Sequence, residues 1–90
     1  MNPGARSFTV LYFARLREAI GRDREQIEPP AAVRTLGQLR SWLQSRGEPW
    51  AQAFAEVRGV RMAIDQAVGS EDTPLRDGAE IAFFPPVTGG

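Results

Sequence analysis

The 90-residue sequence contains no cysteine, no histidine and no lysine. The first two absences exclude a disulfide framework, a cysteine–histidine zinc site, a thiol nucleophile and a catalytic pair that depends on histidine. Without lysine there is no side-chain Schiff base and no P-loop lysine. The side chains therefore offer little conventional catalytic chemistry. We expect the protein to act by binding or through an end of its chain, although coding bias would also explain the missing residues.

Charge is balanced overall but uneven along the sequence. The formal net charge is zero, which argues against binding to nucleic acid or to a membrane surface. Residues 65–80 nevertheless carry five acidic residues against one arginine. This acidic segment is either a solvated loop or a surface that steers a basic partner. No apolar run reaches the ~18 to 20 residues of a membrane span, and the first residues lack a secretory pattern. We therefore expect a cytoplasmic protein.

Four β-strands are predicted from alternating or continuous apolar patterns. They cover residues 8–13, 25–28, 60–64 and 80–84. The first strand is apolar on both faces and is expected to be buried on both. In the third strand, Arg61 and Ala63 are expected on a half-exposed face. Residues 66–78 are predicted to form a loop, because they contain glycine, serine, proline and an Asp-Gly dipeptide.

Three helices are predicted between these strands. The clearest begins at Thr35, whose hydroxyl forms a capping box with Gln38, and Gly47 ends it. Shorter helices are predicted over residues 14–20 and 49–56. Leucine and aromatic side chains recur at helical spacing, so each helix is expected to pack one face on a core. The sequence thus predicts a single small α+β domain.

Phe13 and Phe84 lie on strand faces opposite the main apolar set. One long helix cannot cover both phenylalanines if it already covers the core-facing side chains of the same strands. A contiguous exposed apolar patch commonly marks a contact with another protein. Alternatively, the short helix at residues 14–20 folds over this surface.

The sequence predicts a domain over residues 1–84 and an extended tail over residues 85–90. Pro85 and Pro86 remove two backbone donors and end strand pairing. The last two residues are glycines, which can pass through a narrow tunnel and present the Gly90 carboxylate to a partner's active site. A carboxylate is a poor electrophile at neutral pH, so this mechanism requires activation, for instance by adenylation. The alternative is an ordinary frayed terminus.

The tail resembles that of the small subunits of molybdopterin synthase (MoaD type), which belong to the ubiquitin-like sulfur carriers. The likeness lies in FFPPVTGG at residues 83–90, LRDGAE at 75–80, YFARLREAIG at 12–21 and MAIDQ at 62–66. Two positions depart from the pattern. Asp65 stands where asparagine is common, and Ala79 stands where an aspartate usually precedes Glu80.

This resemblance implies a β-grasp fold, in which a mixed sheet packs on one long helix. It implies that an adenylyltransferase of the MoeB type, similar to the enzymes that activate ubiquitin, adenylates Gly90 with ATP. Sulfur from a donor protein then converts the adenylate to a thiocarboxylate, and no cofactor is expected on the chain itself. The tail, comprising Pro85, Pro86, Val87, Thr88 and Gly89, would enter the large synthase subunit (MoaE type). There the sulfur would attack cyclic pyranopterin monophosphate.

The resemblance also implies a surface that contacts the large subunit, and it implies that the catalytic groups lie on that subunit. The family presents an apolar surface to the large subunit, and the residues that match it here are Phe13, Val68 and Phe84. The large subunit is expected to supply the catalytic groups, in a heterotetramer of the two chains. Three other functions stay open. The chain could deliver sulfur to thiazole or tRNA, it could modify other proteins through an amide bond from Gly90, or it could be an interaction module with an inert terminus.

Overall fold

The computed structural model describes residues 6–86 of the chain, so residues 1–5 and 87–90 lie outside the description. The elements, in chain order, are β1 (Phe8–Tyr12), α1 (Ala14–Ile20), β2 (Arg24–Ile27), α2 (Leu36–Ser45), α3 (Trp50–Glu56), β3 (Arg61–Ile64), β4 (Ala67–Val68) and β5 (Glu80–Phe84). All four predicted strands and all three predicted helices occur within one or two residues of their expected positions. The boundary predicted at residue 84 between domain and tail stays a prediction.

The strands form a five-stranded mixed sheet in the order β2-β1-β5-β3-β4. β1 and β5 lie parallel at its centre, where Val10 is opposite Ile81. The other neighbouring strands pair in antiparallel fashion. Parallel neighbours need a long crossover connection, and here that connection contains the helices. The mixed sheet with α2 packed on it is the predicted β-grasp fold, which is confirmed.

The core lies between one face of the sheet and the helices. Its fully buried side chains include Phe8, Val10, Tyr12, Ile81 and Phe83 from β1 and β5, and Leu36, Leu39 and Leu43 from α2. The Phe54 ring of α3 meets the Phe83 ring edge-on, with 5.4 Å between their centroids. Alternate residues of each central strand thus lie on the face on which the helices pack.

α2 begins as its sequence predicts, with one difference at the cap. The Thr35 hydroxyl accepts a hydrogen bond from the Gln38 backbone N–H at 3.2 Å. The Gln38 side-chain carbonyl accepts from the backbone N–H of Arg34 at 2.7 Å, one residue earlier than in a standard capping box. The last helical residue is Ser45, and Gly47 follows with φ +94°, which suits glycine.

Two burial predictions were wrong. Thr9 and Leu11 of β1 are half-buried, so the first strand is fully buried on one face only, because all three helices pack on the other. Ala63 is buried, with 7% of its surface exposed, although it shares the more open face. Its short side chain lies between Ala82 and Val68 on the adjacent strands, and these neighbours cover it.

The segment predicted as a loop contains the short strand β4. A two-residue turn, Asp65-Gln66, joins β3 to β4, and Ile64 pairs with Ala67 across it. Asp65 and Gln66 have φ values of +49° and +72°, as a type I′ turn requires at both central positions. Such turns favour Asn-Gly or Asp-Gly, so Asp-Gln gave no hairpin signal in the sequence.

Candidate functional site

The face of the sheet opposite α2 carries a row of apolar side chains. Residues that pair across adjacent strands share a face. The strand register therefore aligns Leu11, Ala82, Ala63 and Val68 across β1, β5, β3 and β4. Phe84 lies on the same face, two residues further along β5 and opposite Arg61. The apolar row thus leads directly to the end of β5.

All three predicted contact residues contribute to this face. Phe13 is 46% exposed and Val68 is 65% exposed, while Phe84 is half-buried. Phe13 follows β1 rather than belonging to it, but it keeps an extended backbone and its N–H donates to the Phe83 carbonyl at 3.2 Å. It therefore lies beside the end of β5. We call Leu11, Phe13, Val68, Ala82 and Phe84 the outer apolar surface.

Helix α1 does not cover the outer apolar surface. Its buried side chains are Leu16 and Ile20, which join the core cluster. The alternative in which this helix folds over the surface of Phe13 and Phe84 was wrong, because Phe13 is 46% exposed and Phe84 is only half-buried. Large apolar side chains left open at one end of a sheet are suited to contact with another protein.

The tail leaves the domain against the loop between α3 and β3. Pro85 and Pro86, which we call the tail root, are both half-buried. Gly59 in this loop has φ +68°, and a Cβ added to it would lie 3.3 Å from Cγ of Pro86. A cleft of about 460 Å³ beside the tail root is lined by Arg15, Glu56, Val57, Arg58, Pro85 and Pro86. The first part of the tail is thus held against the domain.

The remaining tail residues lie outside the described part of the chain. They are Val87, Thr88, Gly89 and Gly90. Their predicted insertion into a partner, and the predicted reactive role of Gly90, stay predictions.

A cluster of polar groups around Glu25 was missed in the sequence. The Glu25 carboxylate accepts hydrogen bonds from the Tyr12 hydroxyl at 2.7 Å, from Trp50 Nε1 at 3.1 Å and from the Arg46 guanidinium at 3.1 Å. Only 7% of the Glu25 side chain is exposed. The Arg46 guanidinium also lies 3.9 Å from the centre of the Trp50 ring. This Glu25 cluster joins β1 and β2 to the end of α2 and the start of α3.

The surroundings of Glu25 favour its ionised form. Burial alone would raise the pKa of this carboxyl group, but the hydrogen bonds from Tyr12 and Arg46 and the positive charge of Arg46 outweigh it. The pKa of Glu25 therefore lies below its ordinary value of 4.5. Burial and the adjacent carboxylate raise the pKa of Tyr12, so its hydroxyl remains a donor. The cluster is a fully hydrogen-bonded structural group.

Arginine side chains partly neutralise the acidic segment. Asp65 forms an ion pair with Arg76 at 2.5 Å, and Glu71 forms one with Arg40. The other oxygen of Asp65 accepts from the backbone N–H of Glu80 at 3.0 Å, which ties the β3–β4 turn to β5. Steering of a basic partner by this segment stays a prediction.

Residues 6–86 contain neither a metal-binding cluster nor a helix able to span a membrane. In that range no three side chains of the histidine, cysteine, aspartate and glutamate types are grouped to hold a metal ion. The helices in the same range are too short or too polar to cross a membrane.

The chain is similar to known proteins along most of its length. It is 41% identical over 81 residues to a molybdopterin synthase sulfur carrier subunit of Escherichia coli K12, covering 90% of this chain and 96% of that one. Its fold matches a Pyrococcus furiosus structure described as subunit 1 of a molybdopterin converting factor, with a TM-score of 0.74 and 31% identity. That match covers 91% of this chain and 99% of the other.

A further match is to a structure of a complex. It is described as the protein–protein complex of subunits 1 and 2 of molybdopterin-converting factor from Helicobacter pylori 26695. The TM-score is 0.61 and the identity 26%, with 93% of this chain and 99% of that chain covered. The sequence profile of the ThiS family matches residues 10–90, which include the tail up to its final glycine. By this match, and by its identity to the carrier subunits, the chain belongs to the ThiS family.

Proposed function

We propose that this chain is the sulfur-carrier subunit of a molybdopterin synthase and acts in the cytoplasm through the carboxylate of Gly90. The names of its relatives support this function. The family match supports it further, because that match continues through the tail to Gly90. The sequence of the tail predicts the same function through its resemblance to the sulfur carriers.

The proposal rests chiefly on the position of the tail root beside the outer apolar surface. β5 ends at Phe84, which belongs to that surface, and Pro85 and Pro86 follow immediately. A protein that docks on the outer apolar surface would therefore face the start of the tail. From there, four further residues can reach roughly 13 Å when extended. The arrangement suits a carrier that binds with its flat face and inserts its terminus.

The chemistry proceeds through the terminal carboxylate in three steps. A carboxylate oxygen of Gly90 attacks the α-phosphate of ATP on an adenylyltransferase of the MoeB type, and pyrophosphate leaves. A donor protein supplies sulfur at the oxidation level of hydrosulfide, which attacks the Gly90 carbonyl carbon, displaces AMP and leaves a thiocarboxylate. Finally, the thiocarboxylate sulfur attacks a side-chain carbon of cyclic pyranopterin monophosphate as the carbon–oxygen bond at that carbon breaks. Water then hydrolyses the acyl–sulfur bond, which leaves the sulfur on the pterin and regenerates the carboxylate. Two such deliveries provide both sulfur atoms of the dithiolene.

The partner in the last step is a large subunit of the MoaE type, which docks on Phe13, Val68 and Phe84. The fold match to one subunit of the Helicobacter pylori complex supports such an association. The large subunit supplies the acid–base groups, in a heterotetramer with two copies of each chain. This chain contains no cysteine, histidine or lysine that could compete for its own activated acyl group.

A single-turnover assay tests this function. The chain carrying the thiocarboxylate is mixed with the large subunit and cyclic pyranopterin monophosphate, and molybdopterin is measured. We expect product from the intact chain and none from a variant that lacks Gly90, although both should unfold at the same denaturant concentration. Product from the truncated variant would contradict the mechanism. A thiocarboxylate that forms but does not react with the pterin would indicate another acceptor, such as a thiazole precursor or tRNA.

A further inference from the structure

Three arginines lie around the tail root, and we call them the arginine rim. Arg15 of α1 and Arg58 of the loop before β3 line the cleft beside the prolines. Arg61 is the first residue of β3 and lies opposite Phe84, the residue that precedes the tail root. All three arginines are exposed. The tail therefore emerges between the outer apolar surface and a positively charged edge.

The arginine rim is not neutralised within residues 6–86. In this part of the chain, the ion pairs involve four other arginines, namely Arg22, Arg40, Arg46 and Arg76. Glu56 also lines the cleft, and its carboxylate accepts a hydrogen bond from the Gln52 side chain at 2.7 Å. The cleft lining thus carries two positive charges and one negative charge, and Arg61 adds a positive charge opposite Phe84, although the whole chain is neutral.

We infer that the arginine rim binds carboxylate side chains at the mouth of the large-subunit pocket that receives the tail. This inference rests on the proposed function. Guanidinium groups donate two parallel hydrogen bonds to a carboxylate, which a lysine ammonium cannot match. The rim adjoins the outer apolar surface, so the two form an apolar centre with a charged margin, as protein interfaces commonly do.

The phosphate of the Gly90 adenylate fits this position less well than the partner's carboxylates. Four residues separate the tail root from the terminus, and in an extended tail they span roughly 13 Å. A tail inserted into a partner would carry its terminus away from the arginine rim. The partner surface around the entrance, by contrast, must face the rim whenever the tail is inserted.

Two double variants of equal charge test the inference. Arg15→Gln with Arg58→Gln removes two charges beside the tail root. Arg6→Gln with Arg34→Gln removes two charges from residues before β1 and α2, at the end of the sheet away from the tail. Binding of each full-length chain to the large subunit is measured by titration calorimetry at low and high salt. We expect the first variant to bind roughly 5- to 30-fold more weakly at low salt, since each exposed ion pair contributes up to about 1 kcal/mol.

Two further comparisons decide the outcome, namely the dependence of binding on salt and the binding of the same variants to the adenylyltransferase. The loss should shrink as salt rises, because salt screens exposed charges, and the control variant should bind like the unchanged chain. Equal binding by the two variants, or a loss that salt does not alter, would overturn the inference. A loss seen only with the adenylyltransferase would also overturn it. The oxygen-for-sulfur exchange at Gly90 is followed in the unchanged chain, and its absence there would instead reject the proposed function.

Discussion

The two faces of the sheet carry similar residues but differ in how deeply these are buried. On the inner face, Phe83 is fully buried against the helices. On the outer face, its neighbour Phe84 is half-buried and Phe13 is 46% exposed. Burial of apolar surface stabilises a fold by about 25 cal/mol per Å², so the inner face provides most of the stability. The outer face leaves part of its apolar area exposed, where the proposed partner would bind, so adjacent residues in one strand differ in burial.

The sharpest test of this comparison exchanges each of two adjacent phenylalanines for alanine. Phe83→Ala should lower the free energy of unfolding by about 3–5 kcal/mol, because it leaves a cavity in the core. Phe84→Ala should lower it by much less, since that ring is only half-buried. Urea denaturation of both variants measures the difference. Equal losses would show that both faces contribute equally to stability.

The outer face should dominate binding. Phe84→Asp is expected to weaken association with the large subunit by about 2–4 kcal/mol, because docking would bury an unpaired charge. The same variant should remain folded. Ser41→Asp, at an exposed position of α2, serves as the control and should bind normally. Calorimetric titration of the two variants decides the point, and unchanged affinity in Phe84→Asp would remove this residue from the interface.

The Glu25 cluster should stabilise the inner side in a pH-dependent way. Glu25→Gln is expected to cost about 1–3 kcal/mol near neutral pH, because it weakens a buried, charged hydrogen-bond network. The pKa of Glu25 is lowered in the folded protein. Its stabilising effect is therefore complete above its ordinary pKa of 4.5 and is lost as the pH falls through the folded-state value.

Denaturation as a function of pH measures this contribution. The stability difference between the unchanged chain and Glu25→Gln should be constant near neutral pH and should shrink as the pH falls below the ordinary carboxyl range. Glu28→Gln, at an exposed position at the end of β2, provides the comparison. A difference that persists undiminished in acid would show that the charge of Glu25 does not stabilise the cluster.

The smallest expected effect on stability concerns the direction of the tail. Gly59 and Gly21 both have positive φ, but only at Gly59 would a Cβ approach the tail root. Gly59→Ala and Gly21→Ala should each cost about 1 kcal/mol of stability through backbone strain. Only Gly59→Ala should slow sulfur transfer, because it displaces Pro86. Equal transfer rates in the two variants would show that this contact does not direct the tail.

The sequence predicted the elements with strong local signals. The runs of apolar, β-branched and aromatic residues in β1 and β5 and the capping hydroxyl of Thr35 are local signals, so these elements needed no tertiary information, whereas the face of β1 that the helices cover did. The sequence also predicted that Phe13 and Phe84 lie on strand faces that the long helix does not cover. Their positions at one end of the outer face follow from the parallel pairing of β1 with β5, which links distant segments.

Other features depended on contacts that no local pattern reveals. The Glu25 cluster joins four separate elements, and Glu25 itself looks like an ordinary exposed residue of a short strand. The burial of Ala63 depends on which residues flank it on the adjacent strands. The strand β4 follows a turn with an uncommon residue pair, so its sequence suggested only a loop.

The mass of the intact chain tests the account most directly. The chain is produced together with its adenylyltransferase and a sulfur donor protein, and its mass is compared with that of the chain produced alone. We expect a gain equal to one oxygen-for-sulfur exchange, located at Gly90 by fragmentation and absent from the variant that lacks Gly90. An unchanged mass under conditions in which the adenylyltransferase is active would contradict the account.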